Sequence, residues 1–231
     1  MTSLGSVLIV EDDRPLRYGL HSTLEAAGFS PRDASSGEEA LVALRHDQVE
    51  TILLDINMPG IGGVETCRRV REKYPFLPII ILSVRDLEKD KVEALDAGAD
   101  DYITKPFQFL ELTARLRSAV RRFKTRRDTD DRPITIGEMM LDPATRRVTK
   151  REEDIRLTPK EFDLLHALMQ HAGRPIAHQR LLTLVWGPEY GGEREYLRTY
   201  VSQLRRKLED DPAHPAYLLT DSYVGYRFRD S

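Results

Sequence analysis

Four short strand-like runs in the first half of the chain are each followed by a residue able to do phosphate chemistry. Glu11 and Asp12 follow 7–10, Asp55 follows 51–54, Ser83 follows 78–82 and Lys105 follows 101–104. Three carboxylates brought together without a counter-charge would repel one another and hold their protons more tightly. A hard divalent cation relieves that, and Mg²⁺ takes oxygen ligands at about 2.0–2.1 Å while keeping several waters. Asp12 and Asp55 suit direct ligation, Glu11 ligation through water, and a loop carbonyl near Asn57 a further position. Asp55 could then act as a nucleophile and form an acyl phosphate. Phosphoryl transfer is mostly positioning and charge stabilisation. Lys105 would pair with one phosphate oxygen and the Ser83 hydroxyl would donate to another. Alone, Asp55 reads as a turn or cap residue; the set makes that reading improbable.

These residues are far apart in sequence, so a fold must gather them. The stretch 51–60, Thr-Ile-Leu-Leu-Asp-Ile-Asn-Met-Pro-Gly, is a buried strand stopped by a turn. Strands at 7–10, weakly near 32–34, at 51–55, at 78–83 and at 101–104 alternate with helical patterns. Asp13 caps the first helix, with Pro15 in its first turn. A helix from about Asp86 to Ala97 precedes the last strand. Such alternation predicts a five-stranded, doubly wound parallel sheet, class α/β. Its strand C-termini share one edge, where ligands bind in open sheets.

Residues 124–132 hold no apolar side chain and read as a linker. A different pattern follows. Short strands up to Leu157 suggest a small antiparallel sheet. Thr158, Pro159 and Glu161 form a helix-start signature. A short helix at about 179–186 and a longer one at about 194–209 come next. The longer helix has an apolar stripe of Leu197, Val201, Leu204 and Leu208. Outside it lie Arg198, Thr199, Ser202, Gln203, Arg205 and Arg206, side chains suited to phosphates and base edges in a major groove. With two preceding helices it reads as a helix-turn-helix unit. A C-terminal hairpin, 217–220 and 224–228, forms a wing with Arg227 toward DNA. The expected organisation is 5–123, linker 124–132, and 133–229.

Composition bounds the rest. Of 231 residues, 40% are hydrophobic and 32% charged, as in globular proteins. Residues 1–123 carry 16 Lys+Arg against 20 Asp+Glu, and 124–231 carry 19 against 18. The second half is not basic as a whole, so DNA binding must rest on a local cluster. Cys67 is the single cysteine, which excludes an intramolecular disulfide or a cysteine metal cluster. With no spanning apolar run and no signal sequence, a cytoplasmic protein without membrane partners is expected.

The motifs Val10-Glu11-Asp12-Asp13, Leu54-Asp55-Ile56-Asn57-Met58-Pro59-Gly60, Leu82-Ser83 and Asp101-Tyr102 running into Lys105-Pro106-Phe107 resemble the receiver domain of bacterial response regulators. That resemblance implies a flavodoxin-like fold. It makes Asp55 the phosphoacceptor, fed by a sensor histidine kinase, with Glu11, Asp12 and the Asn57 carbonyl around Mg²⁺. It also implies Ser83 and Tyr102 as switch residues, Lys105 as phosphate partner and a cis bond before Pro106. Lys91, Asp100, Asp101, Glu111, Arg115 and Arg122 would pair two activated receivers, as Lys91–Glu111, Asp100–Arg115 and Asp101–Arg122. Leu157-Thr158-Pro159-Lys160-Glu161-Phe162, Val185-Trp186-Gly187 and Gly225-Tyr226-Arg227-Phe228 resemble the winged-helix effector of the OmpR/PhoB subfamily. Within it the effector is similar to regulators of potassium transport. Double-stranded promoter half-sites and RNA polymerase are the implied partners, and the implied role is regulation, not enzymic turnover. Two other readings compete. A Mg²⁺-dependent phosphohydrolase would carry a second acid two residues past its nucleophile, where this chain has Asn57. A phosphate-independent regulator would not need the full acid set.

Overall fold

The computed structural model describes residues 3–84, 88–124, 132–188, 190 and 194–230; the side chains of 88–90 and 122 also fall outside it. The chain divides into two compact units, Met1–Thr125 and Arg126–Ser231. Of the expected linker, residues 125–131 lie outside the described residues, as does the start of the helix expected from Asp86.

The first unit alternates strand and helix: β1 (Ser6–Val10), α1 (Arg14–Ala26), β2 (Ser30–Ala34), α2 (Gly37–His46), β3 (Thr51–Asp55), α3 (Gly62–Lys73), β4 (Ile79–Ser83), α4 (Glu88–Asp96), β5 (Asp101–Thr104) and α5 (Phe109–Lys124). The strands form one parallel sheet in the order β2-β1-β3-β4-β5. Val7, Ile9, Leu53, Ile80 and Leu82 pack with Leu20, Leu24, Leu112 and Leu116 of α1 and α5 on one face. Leu8, Leu54, Ile79 and Ile81 point to the other face and are equally buried. Burial on both sides is why these strands read as continuous apolar runs. The exception is β2. It starts at Ser30, ahead of the sequence signal, and contains Pro31; as an edge strand it tolerates a residue without an N–H.

Two local features aim the sheet edge. Asp13 accepts the Leu16 N–H at 2.8 Å and caps α1, with Pro15 in the first turn. Gly63, at the start of α3, lies against the chain just past Asp55: a Cβ there would come within 2.3 Å of the Asp55 carbonyl oxygen.

The second unit opens with an antiparallel sheet, β6 (Ile134–Ile136), β7 (Met139–Asp142), β8 (Arg147–Lys150) and β9 (Glu153–Asp154), in sequential order. Helices α6 (Pro159–Gln170), α7 (His178–Val185) and α8 (Arg194–Leu208) pack on one another. Thr158 and Glu161 close the capping box that the sequence predicts at α6. Trp186 lies edge-on to Tyr200 at 5.1 Å in the core between them. The hairpin of β11 (Leu218–Asp221) and β12 (Gly225–Phe228) gains a third strand, β10 (Ile176–Ala177). Two residues are too few to leave a period in sequence. Gly225 admits β10: a Cβ there would meet the Ile176 carbonyl oxygen at 1.9 Å. Among the described residues no helix is long and apolar enough to cross a membrane.

Glu209 joins α8 to the hairpin. Its carboxylate accepts backbone N–H groups of Ala216 (2.8 Å), Tyr217 (3.0 Å) and Leu218 (2.7 Å). Removing the acceptor leaves buried donors unpaired, each costing about 1–3 kcal/mol. Glu209→Ala is expected to lower the stability of the second unit by roughly 3 kcal/mol in urea denaturation, with the first unit's transition unchanged.

Candidate functional site

The sheet order reverses between β1 and β3, and the crevice beyond their C-terminal ends is where open α/β sheets bind ligands. Glu11 follows β1 and Asp55 ends β3; Ser83 ends β4, and Lys105 follows β5. Fold topology thus gathers residues up to 94 positions apart.

The Lys105 Nζ donates at 2.7 Å to Asp55 Oδ2 and at 2.7 Å to Glu11 Oε2. Both carboxylates are buried, at 4% and 2% exposure, whereas Asp12 is exposed. Carboxylate oxygens of Glu11, Asp12 and Asp55 lie within 4.8 Å of one another. Three hard, anionic donors with one open to solvent fit a divalent cation that keeps part of its water. The Asn57 N–H donates to Asp55 Oδ1 at 2.9 Å, so both oxygens of Asp55 are oriented.

The electrostatics follow from crowding. Burial pushes the Glu11 carboxyl up to about 7; the hydrogen bond from Lys105 opposes this and the nearby Asp55 charge adds to it. Burial alone would lower the Lys105 ammonium, but its hydrogen bonds to Asp55 and Glu11 outweigh that and hold it above its ordinary value. The site therefore keeps a fixed cation beside Asp55, while Glu11 sits near the border between acid and anion at neutral pH.

Ser83 is fully buried, and its Oγ receives the Asn57 side-chain amide at 3.3 Å. Tyr102 is inward, 3% exposed. The Lys105–Pro106 bond is cis. The sequence offers Asn57 only as a backbone ligand; in the fold its amide also holds Ser83. Arg17, absent from the sequence-predicted set, donates its guanidinium to the Glu11 and Asp12 carbonyls and braces the acidic turn. Its signal was its place one helical turn after Asp13, with no apolar partner.

The six residues expected on a pairing surface are engaged within this chain where they are described. Arg115 is 7% exposed; it donates to Asp101 at 3.0 Å and to Glu111 at 2.7 Å. Asp100 accepts from Arg71 at 2.6 Å and from the Ile79 N–H at 2.9 Å. Arg71 also donates to the Gly98, Pro75 and Leu77 carbonyls, tying α3 to the turn before β5. Lys91 is half-buried on α4, and the Arg122 side chain lies outside the described residues.

On α8 the expected DNA-facing set divides. Arg198, Ser202 and Arg206 are exposed and Thr199 is half-buried, so these four share an open face. Arg198 pairs with Glu195 at 3.0 Å. Gln203 is only 8% exposed and stands on the packed side. Arg205 donates at 2.8 Å to both the Leu218 carbonyl and the Thr220 hydroxyl, pinning the hairpin to the helix. Arg227, half-buried in β12, donates to Asp221 at 3.0 Å.

Known proteins agree with this geometry. The response regulator receiver domain family matches residues 7–117. The C-terminal domain family of transcriptional regulatory proteins matches residues 152–228. The transcriptional regulatory protein KdpE of Mycobacterium tuberculosis is 41% identical over 222 residues, covering 96% of this chain and 98% of that protein. Among solved structures, a cysteine-to-serine mutant of RitR aligns with a TM-score of 0.80 at 26% identity, over 98% of this chain and 100% of that one. DrrB of Thermotoga maritima, described as an OmpR/PhoB homologue, aligns with a TM-score of 0.51 at 28% identity, over 99% of this chain and 100% of that one. Receiver fold, acidic sheet-edge cluster and C-terminal effector occur together in this chain, which belongs to the OmpR/PhoB-type two-component response regulators, a family of DNA-binding transcription regulators.

Proposed function

We propose that this regulator is switched by phosphate on Asp55, received from a sensor histidine kinase with Mg²⁺ held by Glu11, Asp12, Asp55 and the Asn57 carbonyl. The observation that carries this is the Asp55 carboxylate itself: buried at a strand end, with Lys105 2.7 Å from Oδ2 and the acids Glu11 and Asp12 beside it. A bound cation would neutralise oxygens of the incoming phosphate. Asp55 attacks phosphorus, the donor leaves with the bonding electrons, and Lys105 shifts from the carboxylates toward a phosphate oxygen. Ser83 donates to another oxygen, leaving Asn57, and the packing around Tyr102 follows. That local change of charge biases the surface of α4, β5 and α5.

On that surface Lys91, Asp100, Asp101, Glu111, Arg115 and Arg122 would join two receivers. The Asp101–Arg115–Glu111 contacts already exist within one chain. Pairing would therefore exchange internal ion pairs for external ones, and giving up the buried Asp101–Arg115 pair opposes it. Two linked effectors then bind adjacent half-sites of double-stranded DNA more tightly through effective concentration. Arg198, Thr199, Ser202 and Arg206 are the primary contacts on α8, while Arg205 and Gln203 hold that helix in place and Arg227 supports the wing. Similarity to KdpE supports promoters of potassium-transport genes as targets, with RNA polymerase as the further partner. The protein would reside in the cytoplasm.

The decisive experiment is solution mass with Mg²⁺ and beryllofluoride, a phosphate mimic. Wild type is expected to become a dimer and Asp55→Ala to stay monomeric; an equal response from both would refute phosphate control. A second expectation comes from Glu11. A metal ligand must give up its proton, and burial pushes this carboxyl up to about 7. Mg²⁺ affinity should thus rise between about pH 6 and pH 8, and binding near neutrality should release protons. Calorimetry in two buffers of different ionisation heat measures that release, which Glu11→Gln should abolish. For the effector, Arg206→Ala should weaken DNA binding across sequences and reduce the slope of log affinity against log salt by about 1.

A further inference from the structure

The open face of α8 is a single strip on which Glu195, Arg198, Thr199, Ser202 and Arg206 recur at helical spacing. Glu195 is the one carboxylate in this helix. On a face that meets DNA, every phosphate repels it. An acid in the first turn also complements the helix dipole, and that role needs no DNA. Its contact with Arg198 points further.

Both Glu195 oxygens fall on one nitrogen of Arg198: Nη1 donates to Oε1 at 3.0 Å and lies 3.3 Å from Oε2. Among the described residues the other two nitrogens of that guanidinium, Nε and Nη2, have no hydrogen bond. The pair is open to water, with side chains 66% and 45% exposed for Arg198 and Glu195, so it adds little to the stability of the fold. Thr199 turns back on the helix, its hydroxyl donating to the Glu195 carbonyl at 3.0 Å. Arg206, on the same strip, has no ion pair among the described residues. Two arginines on one face are thus held differently. Arg206 can follow any phosphate; Arg198 is aimed.

The geometry of that aim is chemically selective. With Nη1 taken, the edge formed by Nε and Nη2 still offers two parallel donors in a rigid plane. Guanine presents two acceptors side by side in the major groove, O6 and N7, which such an edge meets bidentately. Adenine replaces one of them with its N6 amino donor, and a guanidinium has no acceptor to meet it. A phosphate, which every sequence supplies, would have to approach past the carboxylate. Discrimination is a difference of affinities, and repelling the wrong partner raises it as surely as attracting the right one.

From this we infer that Glu195 sets the sequence preference of α8: it keeps Arg198 off the phosphates and presents its Nε–Nη2 edge to one guanine in each half-site. Arg198 touches the base, and Glu195 is a positioning residue. The inference rests on the reading of α8 as the helix that enters the major groove.

The test uses the full-length chain, with and without Mg²⁺ and beryllofluoride. Duplexes are selected from a random library with wild type, Glu195→Ala, Glu195→Gln and Arg198→Ala. Affinities are then measured on the selected duplex, on its guanine-to-adenine version and on an unrelated duplex over a range of salt. Wild type should enrich one guanine at a fixed place in each half-site, and Arg198→Ala should lose that position alone. Glu195→Ala should lower the preference for guanine over adenine roughly tenfold. The same variant should bind the unrelated duplex several-fold more tightly, with a slope of log affinity against log salt steeper by about 1. Glu195→Gln keeps an acceptor for Nη1 without the charge. It should retain part of the guanine preference while gaining affinity for unrelated DNA. The inference is overturned if Glu195→Ala selects the same guanine with the same discrimination. It is also overturned if that variant lowers the thermal midpoint and weakens both duplexes alike, which is the outcome for an acid that serves only the helix dipole. If Arg198→Ala leaves the selected sequence unchanged, the inference fails while DNA binding by the effector stands. If wild type enriches no sequence at all, the major-groove reading of α8 fails and this inference with it.

Discussion

One ammonium group organises the receiver. Lys105 reaches across the end of the sheet to Asp55 and Glu11, at 2.7 Å from each. Without it, two buried carboxylates would face each other at a sheet edge with a third acid alongside, and repulsion would favour their neutral forms. With it, Asp55 has a fixed positive neighbour and oriented oxygens. The arrangement is poised because one cation does not offset the burial of two anions: Glu11 still lies at the edge of protonation. Under the proposed phosphate switch, a divalent cation or a phosphate would compete with Lys105 for the same carboxylate oxygens, so chemistry at the site would be coupled to its rim through Lys105.

The effector relies on a different use of charge. Several of its polar side chains are anchors. Glu209 collects the backbone donors ahead of β11, Arg205 holds the same strand to α8, and the buried Lys160 donates to the Val185 carbonyl at the end of α7. Such bonds are worth most where the groups are withdrawn from water, since an unmet buried donor is costly. They tie the helices and the hairpin to one another. What remains on the open side of α8 is short and polar or long and basic, with one carboxylate, Glu195, among them.

Much of the fold was legible before any coordinates. Alternating apolar runs and helical periods gave the five-stranded parallel sheet, because strands buried on both faces cannot hide their composition. Thr158, Pro159 and Glu161 marked the start of α6 since capping is local chemistry. Elements too short for a period were missed: β10, with two residues, and the first residues of β2, whose proline is tolerated only because the strand lies at an edge.

The candidate site divides along the same line. Residue type and position at strand ends identified Glu11, Asp12, Asp55, Ser83 and Lys105, because a parallel sheet with helical crossovers sends every strand terminus to one edge. The sequence by itself thus determined the chemistry that could occur and the edge where it would occur. Tertiary structure alone decided which polar groups remain available for it. Arg205, Gln203, Asp100 and Arg115 carry the same charges and amides as their neighbours. Whether such a group faces DNA, a second copy or its own chain depends on a helix's rotation by a fraction of a turn and on which distant backbone group lies opposite. No local pattern encodes that, since those partners come from elements far away in the chain.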